Sequence, residues 1–416
     1  MEAKKDVLII GGGIIGLATA WYLRDSGLSV TVLEADKPGS GASAGNAGMI
    51  VPSHFVPFAT PGMILQGLRW LLRPDSPFYI RPRLDPDLLR WLWLFNKAST
   101  AGQAEAGMPV LRDLHLASLR EYFHLAQTLG LDLRQQGILM LYNSQEGEHE
   151  ARELFRKGQE VAVEVRLLDR EEANTLDPNL HCQARGAAYF PQDSHLIPAG
   201  LVEKMAAALA ENGTTLHTGI RVKRLSRVRG GIEVETNRNT YRAARVVLAA
   251  GAWSGSLAAQ LGLRMPLEGG KGYSMDIDPG NRQISVPLLL AEARVAITPM
   301  ASQLRFAGTL ELCGTDRRIR RKRVEGIARS ASRYLPQFPA EEILQGEVWQ
   351  GLRPCSPDGF PYIGSFAGCP EVFAATGHGM LGVSLGPITG KLLAEAILEQ
   401  PMSLASPLFA ADRFSG

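Results

Sequence analysis

The sequence predicts a mixed architecture, α/β in one domain and α+β in a second domain joined closely to it. Three observations predict this. The chain has 416 residues, more than one ordinary core organises. It opens on strand, glycine turn, helix, strand and acid in unbroken order. Two later stretches, 244–255 and 373–398, again carry a strand into glycines, so the chain is expected to return to its first sheet.

Composition bounds the rest. The chain is 45% hydrophobic and 21% charged, as globular chains are. Its 44 basic and 42 acidic residues leave a formal charge of +2, which makes no case for nucleic acid. No apolar run approaches the roughly 18 residues of a membrane span. The start, MEAKKDVLIIGGG, shows no cleavable signal pattern, so a cytoplasmic location is expected. Cys182, Cys313, Cys355 and Cys369 are scattered, with neither metal-ligand spacing nor a disulfide framework.

Val7 to Ile10 is a short apolar run that reads as a buried strand. Gly11, Gly13 and Gly16 follow in GGGIIG. Ile14 to Ser26 has helical periodicity and stops at Gly27. SVTVLE reads as a second strand ending at Glu34. The first glycine permits a tight turn, the second lets backbone approach a pyrophosphate, and the third lets helix and strand pack closely. Phosphates would sit at the helix N-terminus, where unpaired N–H groups and the dipole favour an anion. Glu34 stands 18 residues beyond Gly16, where an acceptor for a ribose hydroxyl belongs. A carboxylate there disfavours a 2′-phosphate. Ile14, Ile15 and Ala35 belong to the same expected binding stretch. The order of elements is what separates it from a glycine-rich turn without a ligand.

GSGASAGNAGM (39–49) comes next. Its small side chains would let backbone lie against a large flat ligand, with Ser43 and Asn46 as polar contacts beside Ala47, Gly48 and Met49. Read alone, its competing reading is a flexible loop. ARVVLAAGAWSG (244–255) is a buried strand ending at Ala250 and Gly251, with Trp253 beyond. FAATGHGMLGVSLGPITGKLLAEAIL (373–398) is strand, glycine turn and helix. Its helix N-terminus, around Gly379, Met380, Leu381 and Gly382, would aim N–H groups at a negatively charged ring edge. Three returns to one ligand suit FAD better than NAD.

These stretches resemble the FAD-dependent D-amino-acid oxidase superfamily, which also holds glycine, sarcosine and proline oxidases. The residues that carry the resemblance are GGGIIG with Glu34, GASAGNAGMI, VVLAAGAWS, ITPM with LRFAGTLEL (297–312), WQGLRPCSPDGFPYIG (349–364) and ATGHGMLGVSLGP (375–387). Within the superfamily the chain is most similar to the bacterial, dye-linked D-amino-acid dehydrogenases, on the stretch 61–95. The resemblance implies a Rossmann-like FAD-binding domain interleaved with a mixed-sheet substrate-binding domain. The first would take 1–50, 155–225, 240–262 and 350–416. The second would take 51–154 and 263–349, with a helical or lid subregion around 61–100. It adds Val222 and Gly351 to the expected cofactor contacts. No His or Cys stands out as a tether, so the FAD is expected to be non-covalent.

The local patterns agree. Residues 104–160 read as helices, with apolar positions three and four apart in LRDLHLASLREYFHLAQTLG. ILMLY (138–142), YSMDI (273–277), RVAITPM (294–300) and LRFAGTLEL read as strands. GLVEKMAAALAENG (200–213) reads as a helix with a glycine cap, and 215–247 as hairpin-rich.

Arg353 stands in GLRP, among glycines and prolines. A guanidinium presents a fixed fork that fits a carboxylate. The resemblance implies that this arginine binds the substrate carboxylate; the competing reading is an ion pair with Asp358. Tyr273 in GGKGYSM is a second substrate candidate, or else an aromatic on a half-buried strand. His54 in VPSHFVP would line the pocket mouth, or lie on a solvated loop. His378 is read as positioning the last glycine turn, and His195 as capping a helix start. Some glycine-type oxidases carry a second arginine near the last turn; here Met380 or Leu381 stands there, which implies a wider, more apolar pocket.

No Ser/His/Asp set, metal cluster or acid–base pair is legible. The resemblance implies hydride transfer from the substrate Cα to flavin N5, giving a 2-oxo acid and ammonia, with no side-chain base for the amine. The expected partners are a small D-amino acid and a quinone or artificial dye as electron acceptor. Residues 68–95 hold Trp70, Trp91 and Trp93 among leucines and five arginines. That mix fits peripheral contact with the inner face of the cell membrane, or a lid on the substrate domain. Rival readings are a peroxide-forming oxidase of glycine, sarcosine or proline, a pyridine-nucleotide enzyme, and a flavin-binding subunit of a larger dehydrogenase complex.

Overall fold

The computed structural model describes residues 4–62 and 76–415. Residues 63–75, with Trp70 and part of the stretch read as lid or membrane contact, lie outside the described residues.

The first sheet grows around Lys5–Ile10, which pairs in parallel with Val30–Leu33 on one side and Thr240–Leu248 on the other. Cys369–Thr376 joins in parallel along the end of Thr240–Leu248. Its central strands are buried on both faces, one under the helices Ile14–Leu23 and Gly382–Ile397 and the other under Ile220, Leu225, Ile232, Val234, Leu257 and Ala258. The helices Ile14–Leu23 and Gly382–Ile397 meet closely on one face. Only glycine permits that approach, since a Cβ at Gly390 would lie 2.4 Å from the backbone carbonyl carbon of Ala18. Among the described residues one helix, Gly379–Ile397, is long and apolar enough to cross a membrane. Its apolar length is explained by its place in the core, packed on Ile14–Leu23 and Ala101–Leu129.

The second sheet is mixed. Its order is Val348–Cys355, Glu268–Ile277, Gln303–Leu312, Val295–Met300, Leu288–Leu290, Ile138–Tyr142, Gly186–Phe190 and Arg166–Asp169. Phe78–Ile80 pairs in parallel with Gln303–Leu312. Several expected boundaries therefore shift. Arg166–Asp169 and Gly186–Phe190 lie in the second sheet, although 155–225 was expected with the first. Val348–Cys355 does too, so Gly351 and Arg353 stand on the second sheet. The hairpin strands Val222–Val228 and Gly231–Thr236 extend the first sheet. An apolar run announces a strand, but which sheet receives it depends on the partner that covers its faces.

Arg305 locks the two units together. It forms a two-pronged pair with Asp276 at 2.7 Å on each prong. Its Nη1 also donates to the carbonyls of Ala44 and Asn46, at 3.0 and 2.7 Å. An arginine of the second sheet thus holds the small-residue loop of the first.

Candidate active site

A continuous cavity of about 950 Å³ runs between the two sheets, within the range of ligand sites. One end is the glycine turn. Gly11 takes φ +114°, and a Cβ there would lie 2.3 Å from the Ala249 carbonyl oxygen. At Gly16 a Cβ would lie 1.9 Å from the Gly11 carbonyl oxygen. Gly13 is the N-cap of Ile14–Leu23. Ser43 Oγ accepts from Ile14 N–H at 3.0 Å, so this hydroxyl tethers the small-residue loop to the helix start. The first N–H groups of a helix have no partner within it, and Gly13, Ile14 and Ile15 at this helix start line the cavity. Glu34 accepts from Gly12 N–H at 2.7 Å and from Asp36 N–H at 2.8 Å, which fixes its carboxylate at the end of the second strand.

The expected cofactor contacts are brought together. Gly11, Gly13, Ile14, Ile15, Glu34, Ala35, Ser43, Asn46, Ala47 and Met49 line the cavity. So do Val222, Ala250, Gly251, Trp253, Gly351, Gly379, Met380, Leu381 and Gly382. Gly16 and Gly48 are not on the wall. Gly16 serves helix packing, and a Cβ at Gly48 would lie 2.1 Å from the Leu196 carbonyl oxygen. The cradle of glycines, the helix N-terminus and the fixed acid fit a dinucleotide such as FAD.

The wall opposite the turn carries Arg353. Its neighbouring acids are all engaged elsewhere. Asp358 binds Arg413 through both prongs, at 2.7 and 2.8 Å, which disposes of the Arg353–Asp358 pair. Glu268 binds Arg83 at 2.8 and 2.7 Å. Glu311 meets Arg320, Lys271 and Tyr273. Among the described residues, no carboxylate pairs with Arg353. Among the described residues, the guanidinium's one hydrogen bond runs from Nη1 to the Thr309 carbonyl, at 2.6 Å. Burial pulls its pKa below the ordinary value, and no acid offsets that. Gly272, on the adjacent strand, makes room for it: a Cβ there would lie 2.2 Å from both Nη atoms. Trp349, also on the wall, lies against Gly45 and Gly351 for the same reason. Gly272, Thr309 and Trp349 had no legible signal of function in the sequence.

Other expectations change. The Tyr273 side chain borders the cavity, but its hydroxyl donates to Glu311 Oε2 at 2.9 Å and accepts from Arg320 N–H at 3.2 Å. That hydroxyl is committed behind the wall and is not free for substrate. His195 does not cap a helix. It sits in the two-residue strand Ser194–His195 against Met49–Ile50, and the following helix, Pro198–Glu211, starts at Ile197 without a side-chain cap. His378 Nε2 is bonded to Thr389 Oγ1 at 2.8 Å, and burial lowers its pKa to about 3. A neutral, tethered imidazole steadies the turn. Met380, 48% exposed, and Leu381 occupy the last turn.

His54 lines the cavity and an adjoining recess with Phe58, Leu310 and Met380. Burial lowers its pKa to about 4. Behind it lies a set the sequence did not disclose. Ser53 Oγ is 3.1 Å from His54 Nδ1 and donates to Asp193 Oδ2 at 2.5 Å. Ser53 N–H also donates to Asp193 Oδ1, at 3.0 Å. Serine and aspartate are 140 residues apart, so no sequence motif could announce them. Among the described residues, no three His, Cys, Asp or Glu side chains are placed to hold a metal ion.

Comparison with known proteins agrees with this geometry. The family model described as FAD dependent oxidoreductase matches residues 6–396. A D-amino acid dehydrogenase of a Methylobacterium species (strain 4-46) is 31% identical over 98% of this chain and 99% of its own length. That of Granulibacter bethesdensis is 32% identical over 99% of this chain and 100% of its own. Among solved structures, glycine oxidase from Geobacillus kaustophilus superposes with a TM-score of 0.79 at 24% identity, over 99% of both chains. L-proline dehydrogenase from P. horikoshii superposes at 0.74 and 19% identity, over 100% of this chain and 99% of its own. Those two establish likeness of fold.

Proposed function

The chain belongs to the FAD dependent oxidoreductase family, and on that premise we propose that it is a D-amino-acid dehydrogenase, which oxidises D-amino acids to 2-oxo acids and ammonia and passes the electrons to a quinone or dye. The family supplies the cofactor, FAD, and the oxidoreductase chemistry. The observation that carries the amino-acid reading is Arg353, a half-buried cation on the cavity wall with no acidic partner among the described residues. A partly desolvated charge without a counter-charge is costly, and a substrate carboxylate would relieve it through a two-pronged pair. The names of the dehydrogenase relatives support the D-amino-acid class.

The glycine turn, Glu34 and the small-residue loop would hold FAD, which would supply an acceptor for the hydride of the substrate Cα. The chain's part is placement. Gly272 and the Thr309 carbonyl hold the Arg353 fork in one orientation. A carboxylate on that fork leaves the substrate's amine and Cα directed into the cavity. Phe58, Leu310, Met380 and Leu381 line the adjoining apolar recess, which suits a substrate side chain. His54 stands on the same recess wall.

The test is an anaerobic titration of the purified holoprotein with D-amino acids, their L-enantiomers and N-methylglycine, reading the flavin absorption band. Bleaching by D-amino acids, slow reoxidation in air and fast reoxidation by a quinone dye is the expected result. Prompt reoxidation by air would make the protein an oxidase, and no bleaching would end the amino-acid reading. Arg353→Ala should retain FAD and lose turnover or raise KM; unaltered kinetics would remove the carboxylate role.

A further inference from the structure

Oxidation of an amino acid by hydride loss from Cα needs the amine neutral, because its lone pair assists the departing hydride. The substrate arrives at neutral pH as an ammonium. A proton must therefore leave the substrate inside the cavity. The structure holds one chain of groups leading from the recess wall to a buried acceptor. His54 faces the recess beside Phe58 and Leu310, and Leu310 follows Thr309, whose carbonyl holds Arg353. His54 Nδ1 meets Ser53 Oγ at 3.1 Å, and Ser53 Oγ meets Asp193 Oδ2 at 2.5 Å. Asp193 is 1% exposed. Among the described residues, no cation pairs with it; its carboxylate oxygens accept only from Ser53.

Resting on the reading of the cavity as an amino-acid site, we propose that His54, Ser53 and Asp193 form a relay that takes the ammonium proton of the substrate. The substrate N–H proton passes to His54 Nε2, the Nδ1 proton of His54 passes to Ser53 Oγ, and the Ser53 hydroxyl proton passes to Asp193 Oδ2. Three bonds to hydrogen break and three form. One positive charge leaves the substrate, one negative charge disappears from Asp193, and no electrons are transferred. His54 is the group that touches substrate; Ser53 and Asp193 act through it.

The surroundings favour this direction. Burial raises the Asp193 pKa to about 7, so the carboxylate is ionised above neutrality and is a far stronger base than an ordinary aspartate. The His54 imidazole, held to about 4 by burial and by Arg294, carries the proton through and does not store it. The other groups around His54 are consistent with that. Arg294 is bound to Glu150 at 2.7 and 2.9 Å. His115 is buried and held to about 3, and His378, on the same recess, is likewise held to about 3. None of the three competes for the proton.

The experiment compares wild type with Ser53→Ala, Ser53→Thr and Asp193→Asn as FAD-loaded proteins. The first readout is the rate of anaerobic flavin bleaching by a D-amino acid across pH. Ser53→Ala and Asp193→Asn should bleach roughly 100-fold more slowly near neutrality, the usual size of a proton-transfer contribution. The deficit should close above the amine's own pKa, where substrate is neutral unaided, and Ser53→Thr should restore the rate. Should Asp193→Asn fail to fold, the Ser53 pair carries the comparison. The second readout needs no turnover. 2-Methylalanine has no Cα–H and binds without reacting. Above the Asp193 pKa, its binding should raise a protonated-carboxyl band in the infrared difference spectrum, absent in Asp193→Asn. Variants that bleach at the wild-type rate near neutrality would overturn the relay, as would a deficit constant with pH or no carboxyl band. If wild type is bleached by no D-amino acid, the amino-acid reading itself falls and takes the relay with it.

Discussion

Replacing Gly272 by alanine tests whether the Arg353 fork is held by design. The new methyl carbon would lie 2.2 Å from Nη1 and Nη2 and 2.3 Å from Cζ. Carbon contacts are comfortable at about 3.5–4.0 Å, so the guanidinium must withdraw by roughly 1.3 Å. Its 2.6 Å bond to the Thr309 carbonyl cannot survive that movement. The clash is with the far end of a flexible side chain and not with backbone, so the strand can accept the methyl and FAD should stay bound. What is lost is the paired bond to a carboxylate, worth about 1.5–3 kcal/mol for a charged hydrogen bond. That corresponds to roughly a 10- to 150-fold weaker Kd. The assay is a spectral titration of holoprotein with an unreactive carboxylate, alongside KM and kcat for a D-amino acid. An unchanged Kd and KM in a variant that retains FAD would refute the claim that Gly272 and Arg353 form one binding unit.

Gly16→Ala makes the instructive contrast, because its methyl would meet the Gly11 carbonyl oxygen at 1.9 Å, a backbone atom. Overpacking of this kind costs about 1–3 kcal/mol, so loss of soluble holoprotein or a lower Tm is expected, read by thermal melting. Arg305→Ala should release the loop carbonyls of Ala44 and Asn46 and leave Asp276 without its partner. FAD retention through gel filtration should fall, with kcat of the reloaded enzyme less affected. Stability should decline on acidification. His115 and His378 are held neutral by burial, with folded values of about 3 against about 6.5 unfolded. The unfolded chain therefore binds more protons below about pH 6.5, and each histidine removes up to about 1.4 kcal/mol of stability per pH unit from there down. Asp193, raised to about 7, acts in the opposite sense, because the folded state holds its proton longer. Urea melts at neutral pH and one unit below pH 6.5 should show the loss, and His115→Gln should reduce its slope.

The sequence by itself determined the cofactor end of this protein. GGGIIG with Glu34 is contiguous, and its meaning comes from local geometry: a positive-φ turn, a close helix and an acid closing the next strand. The returns at 244–255 and 373–398 were legible for the same reason, since an all-apolar strand followed by glycines can occupy few places in a parallel sheet. Arg353 was legible as an oddity among glycines and prolines. That it lacks an acid was not, because Asp358, five residues away in sequence, could have paired with it and is instead taken by Arg413. The tertiary structure alone decided such choices. It turned the Tyr273 hydroxyl to Glu311, drew Gly186–Phe190 into the second sheet, laid Gly272 under the guanidinium, and brought Asp193 to Ser53 across 140 residues. Each depends on strand register and on which partner reaches a polar group first. A residue's type states what it can bond, and only the packed neighbours state what remains for it to bond.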